Sequence, residues 1–216
     1  VVVVTLKMAA ANLVFTFSIA MIFALLATKK VRWSKLYQTM YALPMAIASS
    51  PAAAIFLFFF SQHNGVLNNI LGTDISWLTT KSTAFWCVVA MTVWQHIGTS
   101  FIFLLVGFRN VPEDLLESAW LDGAGPLERI RNIILPLFFV LFLNINNSFK
   151  CFNQIKLLTQ GGPANSTKTL IYYIYENAIV NGRFETACVQ AIFLFLMIFI
   201  LTRIQFALED KVVHYQ

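Results

Sequence analysis

Long apolar runs alternate along this chain with short polar stretches, and the runs have the length a membrane demands. A helix crossing the hydrocarbon core needs about 20 mostly apolar residues. Five segments meet that description: residues 8–28, open to extension back past Lys7, then 41–60, 84–107, 133–149 and 186–206. The pattern predicts an all-α integral membrane protein, a single transmembrane domain over 1–216 with an inserted loop at 110–132. Phe58, Phe59 and Phe60 close the second run, as in the aromatic belt of a membrane interface. That run carries no charge but holds Pro44 and Pro51. Each proline removes one helical hydrogen bond, so either a break or ordinary curvature is expected there. The chain opens at Val1 inside an apolar stretch, without an initiator Met. Further N-terminal sequence, with a first span, is expected.

Composition agrees. Hydrophobic residues make up 58% and charged residues 12%, about half the 25% or so of a soluble domain. The net charge of +5 reads as loop lysines and arginines. It is no nucleic-acid footprint, because no basic patch interleaves with aromatics. The distribution of those cations sets orientation. Lys29, Lys30, Arg32, Lys35, Arg109, Arg129, Arg131, Arg203 and Lys211 share one side by parity, against Lys81, Lys156, Lys168 and Arg183 on the other. The positive-inside rule makes the first set, and with it the 110–132 loop, cytoplasmic. Cys87, Cys151 and Cys188 have no spacing that suggests zinc or redox chemistry.

The loop between the third and fourth runs is unusual. Glu113, Asp114, Glu117, Asp122 and Glu128 are five of the chain's ten acidic residues. Asn110 can cap a helix and Pro112 suits its first turn, where acidic side chains meet the positive end of the helix dipole. Gly123-Ala124-Gly125-Pro126 ends that helix, and a second can start at Pro126. A bent, ordered protrusion is expected, with a glycine at its elbow that permits close backbone approach.

Glu117-Ser118-Ala119, three residues, Gly123, nine residues, then Ile133 and Leu135-Pro136 resemble the EAA loop of ABC importer permease subunits. Ser118 stands where that family usually has Ala. Asp122-Gly123-Ala124 is similar to the carbohydrate-uptake branch. A second signature lies at 152–163: Phe152-Asn153-Gln154-Ile155-Lys156-Leu157-Leu158-Thr159-Gln160-Gly161-Gly162-Pro163. It resembles the F-D-x-I-x-x-L-T-x-G-G-P segment of sugar-type permeases, with Asn153 for the usual Asp. The tyrosine-rich 168–175 and the tail 205–216 are most similar to the A-type permease subunit of sn-glycerol-3-phosphate importers; an oligosaccharide permease is the alternative.

The resemblance implies a type I ABC importer transmembrane domain in the prokaryotic cytoplasmic membrane. It implies a second permease subunit, two copies of a cytoplasmic ATPase, an extracytoplasmic solute-binding protein and a lipid surround. It also implies that Glu117, Ser118, Ala119, Asp122, Gly123 and Ala124 engage the ATPase. No GxxxxGK[ST] phosphate loop occurs, so ATP is expected on the partner, with no cofactor or metal here and no catalytic residue. A secondary carrier is the competing class, and it needs an ionisable residue deep in a span for ion coupling.

Polar side chains within the spans mark candidate solute contacts, because they are costly in hydrocarbon and usually face a partner or a cavity. Trp94 and Gln95 lie in the third run; Asn144 and Asn147 lie in the fourth, with Lys150 at its edge and Asn153 just beyond. Amides beside an aromatic ring suit a sugar-like solute, while interhelical hydrogen bonding is the competing explanation. Lys150 is the one cation available for a phosphate.

Overall fold

The computed structural model describes residues 1–28, 34–109 and 134–212. Among them are nine α-helices: α1 Val2–Thr28, α2 Ser34–Ala46, α3 Ser49–Phe59, α4 Val66–Leu71, α5 Lys81–Arg109, α6 Ile134–Phe149, α7 Asn153–Leu158, α8 Leu170–Tyr175 and α9 Phe184–Val212. A π-helical turn, Glu176–Val180, continues α8. No strand occurs among the described residues.

Among the described residues three helices are long and apolar enough to cross a membrane: α1, α5 and α9 as far as Glu209. The second apolar run forms a bent helix pair, a broken span or a re-entrant loop. Helices α2 and α3 meet at an angle of 105°. Helical hydrogen bonds run from each N–H to the carbonyl four residues back, so Pro44 withholds one from the Met40 carbonyl near the end of α2. Pro51 sits in the first turn of α3, where an N–H has no helical partner anyway. Between them the chain leaves the helix, with Ala48 extended at φ −62°, ψ 154°. The second run is thus broken, not merely curved. Helix α6 has 16 residues from Ile134.

The bundle is built on α1 against α5. Helix α1 buries Thr5, Met8, Ala9, Asn12, Thr16, Ala20, Ala24 and Ala27, a stripe at three- and four-residue spacing made largely of small side chains. In a bilayer, helices associate by close packing, and small residues permit it. In the outer half Met8 joins Val88, Val89, Met91 and Cys151 in one buried cluster. In the inner half Ala20, Ala24 and Ala27 pack with Phe101, Leu104, Leu105 and Val140.

Helix α2 presses on α5 from another side, at Gly98. A methyl group there would lie 3.0 Å from the Tyr41 carbonyl oxygen and 3.3 Å from the Ala42 Cα. Only glycine lets the two backbones come this near. The Tyr41 ring stacks on Phe23 of α1, with centroids 4.2 Å apart, and meets the edge of Phe101 of α5 at 5.3 Å. One side chain therefore ties three helices together just before the break.

Outside the spans, residues 62–77 are organised by one buried amide. Asn68 donates to the carbonyls of Gln62 and Ile75 at 2.8 and 2.9 Å and accepts from Trp77 Nε1 at 2.7 Å. Helix α9 packs lightly, leaving Phe193, Phe195, Phe199 and Ile204 exposed, as suits a lipid-facing helix. Gln205 Nε2 on α9 donates to the Phe138 carbonyl at 3.0 Å and so holds α6.

Candidate functional site

A polar seam runs where α5 meets α6 and α7, and it gathers the candidate solute residues. At its inner end Ser100 and Asn144 exchange hydrogen bonds: the hydroxyl donates to Asn144 Oδ1 at 3.1 Å, and Asn144 Nδ2 approaches Ser100 Oγ at 3.0 Å. Asn144 Nδ2 also donates to the Val140 carbonyl at 2.9 Å. Both residues are buried. Asn144 thus has helix partners for both ends of its amide. Higher up, Thr92 Oγ1 donates to the Val88 carbonyl at 2.7 Å and lies 3.2 Å from Cys151 Sγ. Gln154 Nε2 of α7 donates to Gln95 Oε1 at 2.7 Å.

The remaining candidates differ in how much they show. Trp94 is half-buried, with its ring edge-on to Phe56 of α3 at 5.4 Å. Asn147 is half-buried, and its carbonyl accepts the Lys150 N–H at 3.1 Å. Lys150 and Asn153 are exposed, on either side of the interval separating α6 from α7. Asn147, Lys150 and Asn153 therefore lie at or beside the interval between α6 and α7, and Gln95 reaches α7 through Gln154, while Trp94 packs toward α3. Asn144 sits deeper and acts as a clasp between helices.

That clasp has a measurable strength. In a double-mutant cycle, Asn144→Leu with Ser100→Ala will show a coupling of about 1 kcal/mol or less, typical of polar pairs between membrane helices. Thermal unfolding in detergent reads it, and additive effects of the two changes would remove the pair from the account.

Gln154, Thr92 and Cys151 complete the seam, although apolar periodicity alone gives no reason to pair them. Asn12 is a further polar group, 1% exposed on the α1 stripe, with both amide atoms unpaired among the described residues. Its signal in the sequence is the one amide in the first run, whose other polar side chains are the hydroxyls of Thr16, Ser18 and Thr28. The ATPase-coupling candidates Glu117, Ser118, Ala119, Asp122, Gly123 and Ala124 lie outside the described residues. Among the described residues no group of three His, Cys, Asp or Glu side chains could hold a metal ion.

The outer signature forms a compact turn. Gly161 takes φ +80°, and a side chain there would collide with Tyr172 Cε1 at 3.0 Å. The Gly162–Pro163 bond is cis. Thr167 Oγ1 donates to the Gly162 carbonyl at 2.8 Å. Lys168 Nζ pairs with Glu176 Oε2 at 2.7 Å, and Lys156 Nζ stands 4.6 Å from the centre of the Tyr175 ring. Burial, with the Glu176 carboxylate and Tyr175 nearby, pushes the Tyr172 hydroxyl above its ordinary pKa.

Comparison with known proteins matches this architecture. The chain is 35% identical over 211 residues to the sn-glycerol-3-phosphate transport system permease protein UgpA of Pectobacterium atrosepticum, covering 94% of this chain and 72% of the relative. It is 34% identical to the protein of that name from Yersinia pestis, over 92% of this chain and 70% of the relative. Among solved structures, a chain of a bacterial ABC transporter involved in the import of the acidic polysaccharide alginate superposes with a TM-score of 0.86. The identity is 22%, covering 99% of this chain and 79% of that one; at that identity the likeness concerns the fold. Residues 16–214 match the family described as the binding-protein-dependent transport system inner membrane component. The bundle of apolar helices, the two loop signatures and these matches meet in one conclusion: the chain is a multi-pass inner-membrane permease belonging to the binding-protein-dependent transport system inner membrane component family.

Proposed function

We propose that this permease imports sn-glycerol-3-phosphate or a related sugar-type solute, as one half of a heterodimer driven by two copies of an ABC ATPase. The observation that carries the solute is the 35% identity to a glycerol-3-phosphate permease across 94% of the chain. The polar seam supports it, because amides and an aromatic ring at a helix break suit a small hydroxylated molecule. Solute reaches the outer mouth on a binding protein. ATP, held by the partner subunits, closes them against the 110–132 loop, and Glu117 to Ala124 pass that closure to α5 and α6, the helices on either side. Solute and nucleotide each bias one equilibrium between outward- and inward-open forms.

The test is biochemical. The tagged permease, expressed with its neighbouring genes, will copurify with a second permease and an ATPase. Reconstituted with the binding protein, the complex will take up labelled sn-glycerol-3-phosphate in an ATP-dependent manner. Isolation of an intact, active carrier without an ATPase would overturn the importer mechanism. ATP-driven uptake of an uncharged oligosaccharide alone would overturn the solute.

A further inference from the structure

Asn12 is held where no hydrogen bond compensates it. It lies on the α1 stripe one turn after Met8 and is 1% exposed. Neither Oδ1 nor Nδ2 has a partner among the described residues, and both atoms have next to no surface open to water. Water therefore cannot supply the missing bonds in this packing. An amide buried without partners is costly, and helices in a bilayer are ordinarily joined by bonds from such groups. The arrangement seen here thus carries a penalty that a different helix offset would relieve.

The packing shows where that relief lies. Helices α1 and α6 pack on each other. Met8 clusters with Cys151, Ala9 with Phe149 and Ala20 with Val140. The two helices are therefore antiparallel, and Asn12 falls level with residues 146–148. Asn146 and Asn147 are half-buried, and Asn146 Nδ2 already donates to the Phe142 carbonyl at 3.1 Å. Ser148 is buried, and its hydroxyl makes no hydrogen bond among the described residues. The buried hydroxyls of α5 are committed, Thr92 to the Val88 carbonyl and Ser100 to Asn144. Thr16 is on α1 itself, one turn from Asn12, a spacing that no movement between helices changes. Ser148 is the uncommitted group that a shift of α6 along α1 brings to Asn12.

We propose that Asn12 and Ser148 form a latch of the import cycle: they are unpaired in the arrangement seen here, and the Ser148 hydroxyl donates to Asn12 Oδ1 when α6 slides along α1. The inference rests on the ATP-driven alternation proposed above and names a contact that distinguishes its two forms. Small sliding of packed helices is an ordinary shear motion of proteins, and α6 follows the 110–132 loop directly. One form leaves a dry amide and the other makes an interhelical bond, so the pair biases the equilibrium toward the second.

The assembled importer, with both permeases, the ATPase and the binding protein, provides the test. Asn12→Leu removes the unpaired amide of one form and the bond of the other. Without nucleotide its Tm will rise by about 3 °C. ATP-dependent uptake of labelled sn-glycerol-3-phosphate will fall about threefold or more, the factor that a bond of ordinary strength between membrane helices supplies. A merely structural role would lower both readings together. Ser148→Ala will leave the Tm within about 1 °C, since the hydroxyl has no partner to lose, yet will slow uptake to a similar extent. The double variant will be no slower than the slower single one, as a shared contact requires. A lower Tm or failed assembly in Asn12→Leu would mean that the amide is paired at rest, and would overturn the latch. Unchanged uptake in either variant, or losses that multiply in the double, would overturn it while leaving the importer reading intact. A wild-type assembly without ATP-driven uptake fails the importer reading itself, before any variant is made, and the latch falls with it.

Discussion

Replacing Gly123 with Asp will abolish solute-stimulated ATP hydrolysis by the assembled importer while the permease still inserts in the membrane. The expectation follows from Gly123-Ala124-Gly125-Pro126, a sequence expected to end a helix, in an acidic loop that the resemblance assigns to ATPase docking. Glycine there leaves room for a second backbone. Asp adds both a side chain and a charge that has to be desolvated at the contact, a penalty of several kcal/mol, equivalent to a loss of about a hundredfold or more. Gly123→Ala adds bulk without charge and will have a smaller effect. Membrane fractionation with an ATPase assay separates insertion from coupling. Wild-type stimulation in Gly123→Asp would remove the loop from the transmission route.

The second large effect is structural. Gly98→Leu will pry α2 from α5, because the first added carbon already meets the Tyr41 carbonyl oxygen at 3.0 Å and the Ala42 Cα at 3.3 Å. Those are backbone atoms of a helix, so no rotamer change relieves the contact. Overpacking of this kind costs about 1–3 kcal/mol, which corresponds to a fall in Tm of about 5 °C for a chain of this size. The stacking of Tyr41 on Phe23 and its edge contact with Phe101 will loosen together. Purified permease in detergent, followed by thermal unfolding, reads the change. An unchanged Tm in Gly98→Leu would mean that α2 does not lie on α5 as described.

The importance of that junction lies in what it adjoins. Tyr41 and Gly98 clamp α2 a few residues before the 105° break between α2 and α3. Pro44, inside α2, withholds one helix bond just before the break, and Pro51 fits the first turn of α3 after it. The seam of α5 with α6 and α7 has the same construction. Polar clasps at Ser100–Asn144 and Gln95–Gln154 bracket a helix end at Phe149.

Much of this was local and therefore legible in the sequence alone. Apolar runs of bilayer length mark spans wherever they occur, because the hydrocarbon core imposes that length on each segment independently. The prolines mark the second run for either a break or curvature, and the lysines and arginines give an expected orientation. The loop at 110–132 declares itself by five acids between apolar neighbours.

What tertiary structure alone decided was which polar groups meet. Asn144 looks the same in sequence whether it faces solute or a neighbouring helix; only the approach of Ser100 makes it a clasp. Gln95 finds Gln154, and Thr92 finds Cys151, each across 59 positions of chain. Hydropathy adds up along one segment, whereas pairing depends on the offset between two helices, which side-chain packing along their whole contact sets.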